Sequence, residues 1–163
     1  MESTGRIKLL SSDDVVVEVD LGAAVMSVTI RKMLDDIKGE ELGTVPLSMT
    51  GLVLKSVMDY CTEAIRRPDQ VSAYAPGRPV DDFCDLDRAH SERWKVDKKL
   101  LADVLSASLY LNIDRLTQVA ARTIAALFRR TPVAECCRAF GMIEPTLYQV
   151  YRAEHRHEFI VKT

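Results

Sequence analysis

DKKLLADVLSASLYLNIDRLTQVAARTIAALFRRTPVAECCRAFGMI, residues 97–143, holds three helical patterns set so close together that they must pack as neighbours. In the first, Leu100, Leu101, Val104, Leu105 and Leu111 recur at helical spacing, and Asp97 stands where an N-cap accepts backbone N–H groups. A short break at Leu111-Asn112 leads into the second, where Ile113, Leu116, Val119, Ala120, Ile124 and Leu127 fall on one face. Two helices joined this tightly form an antiparallel hairpin. Arg129 and Arg130 suit a helix C-terminus, Thr131 caps a third helix with Pro132 in its first turn, and Phe140-Gly141 ends it.

Upstream, Arg6–Leu10 and Val15–Val19 read as two strands, with Ile7 and Leu9 alternating in the first and Val15, Val17 and Val19 sharing a face of the second. Ser11-Ser12-Asp13-Asp14 makes the hairpin between them. Asp14 tolerates a left-handed backbone less well than glycine would, which leaves the type of this turn open. Ser27 or Thr29 caps a helix whose Ile30, Met33, Leu34 and Ile37 face inward. After a break at Gly39–Gly43, Val45-Pro46-Leu47 reads as a short edge strand, where proline is tolerated. Thr50 opens a long helix with Leu54, Val57, Met58, Cys61 and Ile65 on one side. Residues 67–93, interrupted by Pro68, Pro76, Gly77 and Pro79, read as an irregular acidic loop.

The chain has 163 residues, the size of one domain with room for an appended subdomain. Its 22 basic and 24 acidic residues leave a net charge of −2, which offers no field for nucleic acid or acidic lipid. There is no apolar run of about 18 residues for a membrane span, and the N-terminal MESTGRIKLLSSDD lacks a signal-peptide layout, so an intracellular chain is expected. Cys61, Cys84, Cys136 and Cys137 include no C-x-x-C, and reduced thiols follow.

No spacing of chemistry-bearing residues in the chain completes a catalytic or metal-binding pattern. Asp81, Asp85, Asp87 and Glu92 fall at four ligand positions of a calcium loop, but Phe83 has no oxygen to give and Leu86 replaces the obligatory glycine. His155 and His157 are two apart, which on a helix points them in different directions. Cys136 or Cys137 with His90 would need the fold to unite them, and no nucleophile, phosphate-binding or dinucleotide motif accompanies them. No enzyme, cofactor or metal site is expected. What remains is a binding surface: Leu127, Phe128, Val133, Phe140, Met142 and Ile143 cluster in sequence. They either cover one another, form a homodimer seam, or make a groove for partner helices.

Several segments resemble one family. Ser108-Leu109-Tyr110-Leu111-Asn112-Ile113 is similar to the Ala-Asn-Tyr-Leu-Asp-Ile signature of the S-phase kinase-associated (Skp) adaptors of cullin ubiquitin ligases. Arg122-Thr123-Ile124-Ala125 resembles its Lys-Thr-Val-Ala run, Thr131-Pro132 its Thr-Pro helix start, and Phe140-Gly141-Met142 its Phe-Asn-Ile ending. Ile7-Lys8-Leu9, Ser11-Ser12-Asp13, Ser27–Leu34 and Val53–Cys61 match further segments in the right order.

The resemblance implies an α+β BTB/POZ fold, a small three-stranded sheet with a helical cluster, plus a C-terminal helical extension. It divides the chain into a BTB/POZ-like domain at 1–128 and F-box-binding helices at 129–163. It further implies a non-catalytic bridge, cytoplasmic and nuclear, between a cullin and the F-box proteins that carry substrates. Tyr110 is then the expected cullin contact. Leu109 stands beside it where the family has Asn, so cullin binding is expected to be weakened or lost. Ile124, Leu127, Thr131, Pro132, Phe140 and Ile143 are the expected F-box contacts, and Phe159, on a face with Tyr148 and Tyr151, an altered lid. The alternatives are a BTB-fold subunit that binds F-box-like helices without a cullin, and a scaffold that self-associates as a homodimer when no F-box partner is present.

Overall fold

The computed structural model describes residues 5–37, 43–68 and 83–139. Strands β1 (Arg6–Leu10) and β2 (Val16–Asp20) form an antiparallel hairpin, followed by a short helix α1 (Leu21–Ala24) and by α2 (Val28–Asp36). β3 (Thr44–Pro46) adds parallel to β1, giving the sheet order β2-β1-β3. Helices α3 (Gly51–Arg66), α4 (Asp85–Val96), α5 (Lys98–Leu111), α6 (Asp114–Arg130) and α7 (Val133–Ala139) complete the described chain. Strands on one side and a helical cluster on the other make the α+β architecture expected.

The alternation in β1 does what period two requires: Ile7 and Leu9 are buried while Arg6 and Lys8 face water. β2 begins one residue later than expected, and Val15 stays exposed. The structure settles the turn: Asp14 takes a left-handed backbone, with φ 61°, and its N–H donates to the Ser11 carbonyl. α3 crosses the core with Leu54, Val57, Met58, Tyr60 and Cys61 inaccessible, whereas Ile65 is exposed at the helix end. Burial pushes the Cys61 thiol up to about 12, so it is a packed, unreactive side chain.

Thr50 precedes α3 but its side chain makes no cap bond. That role passes to Asp13 in the β1–β2 turn, whose Oδ1 accepts the Gly51 N–H at 2.7 Å. The Ser11 hydroxyl also donates to Asp13, and together these bonds hold its carboxyl below the usual carboxylate range. Turn and helix are so close that a Cβ on Gly51 would lie 2.7 Å from Val15 Cβ. Gly51→Ala should therefore destabilise by about 1–3 kcal/mol in urea unfolding, because a stiff β-branched neighbour cannot yield, even though alanine is the better helix former. Adding Val15→Ala should recover most of the loss; no recovery would mean the contact is not the cause.

The irregular loop expected across 67–93 is corrected at its C-terminal end, where residues 85–93 belong to α4. Its inner face is mostly polar: Asp87, His90 and Ser91 are buried with Leu86 and Trp94. Each polar group finds a partner across the core. Tyr60 donates to Asp87 Oδ1 at 2.8 Å, and Arg115 of α6 reaches the same oxygen at 3.3 Å. Thr123 donates to Ser91 at 2.9 Å, and His90 Nε2 lies 3.2 Å from Glu63 Oε2. Burial, followed by the Asp87 charge, holds the Tyr60 phenol far above its ordinary value.

His90 sits edge-on to Tyr60 and tilted against Trp94. Burial lowers its pKa from 6.5, outweighing Glu63, which favours the charged ring. A depressed folded value means the unfolded chain binds the proton first, so this stability is complete above 6.5 and is lost as pH falls below it. Unfolding midpoints should thus drop as pH falls below 6.5, and His90→Gln, which can still bond Glu63, should flatten that slope. An unchanged slope would assign the effect elsewhere.

Candidate functional site

The C-terminal turn of α5 presents Leu109 and Tyr110 to solvent, at 63% and 43% exposure. An α-helix leaves its last four carbonyls without helical partners, and here each of the four is met. Asn112 adopts a left-handed cap with φ 53°, directing its N–H to the Leu109 carbonyl at 3.2 Å, and Ile113 N–H reaches the Ser108 carbonyl at 3.0 Å. The hydroxyls at the start of α2 supply the other two. Thr29 donates to the Tyr110 carbonyl at 2.9 Å and Ser27 to the Leu111 carbonyl at 2.6 Å. Ser27 simultaneously caps its own helix by accepting the Ile30 N–H at 3.1 Å. The backbone beneath Tyr110 is thereby fixed by residues some 80 positions earlier.

Tyr110 lines a groove of about 360 Å³ between α5 and the connection from β3 into α3. Asp103, Ser106 and Ala107 lie on the α5 wall, and Met49, Thr50 and Val53 on the other. Asp103, Ser106 and Ala107 went unnoticed in the sequence, although they precede Tyr110 by seven, four and three positions, the spacing of one helix face. Leu109, one residue before Tyr110, lies outside the groove lining and adds an exposed apolar surface beside it. Its apolar part is formed by the buried Met49, Val53 and Ala107, and its polar part by Thr50, Asp103 and Ser106, with the Tyr110 phenol beside them.

The second expected surface runs along the end of α6. Ile124 and Leu127, three residues apart, are half-buried against the core, while Phe128 is exposed at 38%. Thr131 has extended backbone and closes α6, and Pro132 is exposed. Pro132 precedes α7 instead of lying in its first turn, and its carbonyl accepts the Glu135 N–H at 3.0 Å. Phe140, Ile143 and Phe159, with Tyr148, Tyr151, His155 and His157, lie outside the described residues. The structure thus brings Leu109 with Tyr110, and Ile124 with Leu127, and puts Thr131 and Pro132 at the α6–α7 junction, while Phe140, Ile143 and Phe159 lie outside the described residues.

Among the described residues, no group of three His, Cys, Asp or Glu side chains could hold a metal ion. The calcium-loop spacing fails for a structural reason too: Asp85 and Asp87 are on a helix, and Asp87 is committed to Tyr60 and Arg115. Among the same residues no helix is long and apolar enough to cross a membrane.

Comparison with known proteins adds a family. The model of the Skp1 family, tetramerisation domain, matches residues 5–64. The SCF ubiquitin ligase complex protein SKP1a of Dictyostelium discoideum is 36% identical over 138 residues, 83% of each chain. The E3 ubiquitin ligase complex SCF subunit sconC of Neosartorya fischeri is 28% identical over 137 residues, 83% of this chain and 85% of that one. Its counterpart in Talaromyces marneffei is 27% identical over 140 residues.

Proposed function

From the premise that the chain belongs to the Skp1 family, we propose that it is a non-catalytic adaptor of an SCF-type E3 ubiquitin ligase, bridging a cullin to F-box substrate receptors. The observation that carries this reading is the exposed Leu109–Tyr110 turn, hydrogen-bonded from α2 and set beside a groove. In it, residues 1–128 form the platform and Tyr110 with Leu109 meets the cullin. Residues 129–163, with Ile124 and Leu127 of α6, meet the F-box; Thr131, Pro132, Phe140, Ile143 and Phe159 take part. Such a bridge works wherever its ligase does, in cytoplasm and nucleus.

Reconstitution with a purified cullin N-terminal region and an F-box protein tests it. Tyr110→Lys should weaken cullin capture at least about tenfold, roughly 1.4 kcal/mol, and leave F-box binding unchanged. Failure of the folded chain to bind any F-box would sink the reading. Leu109 supports a second one, a subunit that keeps the F-box surface without a cullin, since an exposed leucine replaces the family's hydrogen-bonding Asn. If neither the natural chain nor Leu109→Asn binds a cullin while both bind the F-box, the second reading stands.

A further inference from the structure

Among the described residues, β2 is the outer strand of the sheet on one side and β3 on the other. β3 is protected in the usual manner, being three residues long and ending in Pro46, which has no N–H. β2 carries no such device. It is five residues long and free of proline, with Val16 exposed at 52% and Val15, just before it, at 44%. The hydrogen bonds from Ser11 N–H to the Val15 carbonyl and from Leu21 N–H to the Gly5 carbonyl set the ladder's phase. Antiparallel pairs alternate, so in this register Val17 and Val19 turn their backbone groups to β1, while Val16 and Glu18 turn theirs outward.

A groove of about 500 Å³ follows that outward edge. Every residue from Val15 to Asp20 lines it, odd and even alike, which only a channel along the edge of a strand can produce. Its other wall is one stripe of α3: Gly51, Lys55, Met58, Asp59, Thr62 and Arg66. Strand and helix run side by side, since Gly51 packs on Val15 and Ile65 packs on Gly22 at the far end. The strand segment spans ~17 Å and the stripe ~22 Å, so the helix wall runs past the strand at one end.

The strand's own charges are already engaged, Asp20 with Arg6 at 3.6 Å and Glu18 with Lys8 at 3.7 Å. Lys55 and Asp59 on the helix wall offer the next pair. Four helical residues advance ~6 Å and two strand residues ~6.7 Å, so a carboxylate and a cation two apart on one face of an added strand would meet both. We propose that this groove binds an extended peptide of a partner protein, added antiparallel to β2, with a cation followed two residues later by a carboxylate on its helix-facing side. The intervening side chain then lies beside Glu18, and the apolar one after the carboxylate beside Val16. The groove flanks α3 on the side away from Tyr110, so it is independent of cullin binding.

The probe is the peptide acetyl-Thr-Val-Lys-Val-Glu-Val-Thr-amide, titrated into the isotope-labelled full chain by NMR, with a peptide in which Lys and Glu are exchanged as its control. The Val16 and Glu18 amides should shift and become protected from hydrogen exchange, and the first peptide should bind about fivefold tighter than the control. The double variant Lys55→Glu with Asp59→Lys should reverse that preference. Equal binding of the two peptides, shifts mapping elsewhere, or no binding at millimolar peptide would overturn the proposal. So would slow exchange of Val16 and Glu18 before any peptide is added, because another segment of the chain would then fill the edge.

Discussion

Asp87→Ala is expected to lower the unfolding free energy by about 3–5 kcal/mol, the largest loss from any single polar side chain in the described core. Asp87 is 2% exposed and accepts from both Tyr60 at 2.8 Å and Arg115 at 3.3 Å. Removing the carboxylate takes from Arg115, whose side chain is only 18% exposed, the anion that lies 3.3 Å away, and from the Tyr60 hydroxyl its acceptor. Tyr60→Phe deletes a donor and leaves the ion pair, so it should cost only about 1 kcal/mol. Urea titrations of the two variants separate these cases. A loss below about 1 kcal/mol for Asp87→Ala would mean that Arg115 swings out to water.

Ser27→Ala ranks next, at about 2–4 kcal/mol, because one hydroxyl serves two helices. It caps α2 through the Ile30 N–H and satisfies the buried Leu111 carbonyl at the end of α5. The cap is worth about 1 kcal/mol, and a buried carbonyl stripped of its donor costs about 1–3 more. Thr29→Ala, whose bond to the Tyr110 carbonyl is exposed, should cost well under 1 kcal/mol. Thermal unfolding tests the ranking. Cullin affinity gives an independent readout, since Ser27→Ala should loosen the turn that carries Tyr110 although it touches no partner.

Much of this was legible in the sequence. Ile7 and Leu9 declared β1 by alternation, Ser27 and Asp97 announced their helices, and the α5–α6 hairpin followed from its apolar spacing. α4 was not legible, because its buried side includes Asp87, His90 and Ser91 as well as Leu86 and Trp94. A pattern rule reads such a side as solvent-facing; only partners on α3 and α6 make those polar groups affordable inside. The capping of α3 escaped for a similar reason, as Asp13 lies 38 residues from Gly51. Leu109 and Tyr110 stood out through the resemblance to the Skp adaptors, and the groove's second wall, from Met49 to Val53, comes from a distant segment.

That cap also bears on how the chain reaches this shape. The first turn of α3 receives its Asp13 acceptor only once the β1–β2 hairpin has closed, and Ser12 N–H then ties the same turn to the Met49 carbonyl at 2.8 Å. Hairpin and helix N-terminus should therefore rise and melt as one cooperative unit. The amide of Gly51 would exchange its hydrogen at the pace of the hairpin, not at that of a fraying helix end.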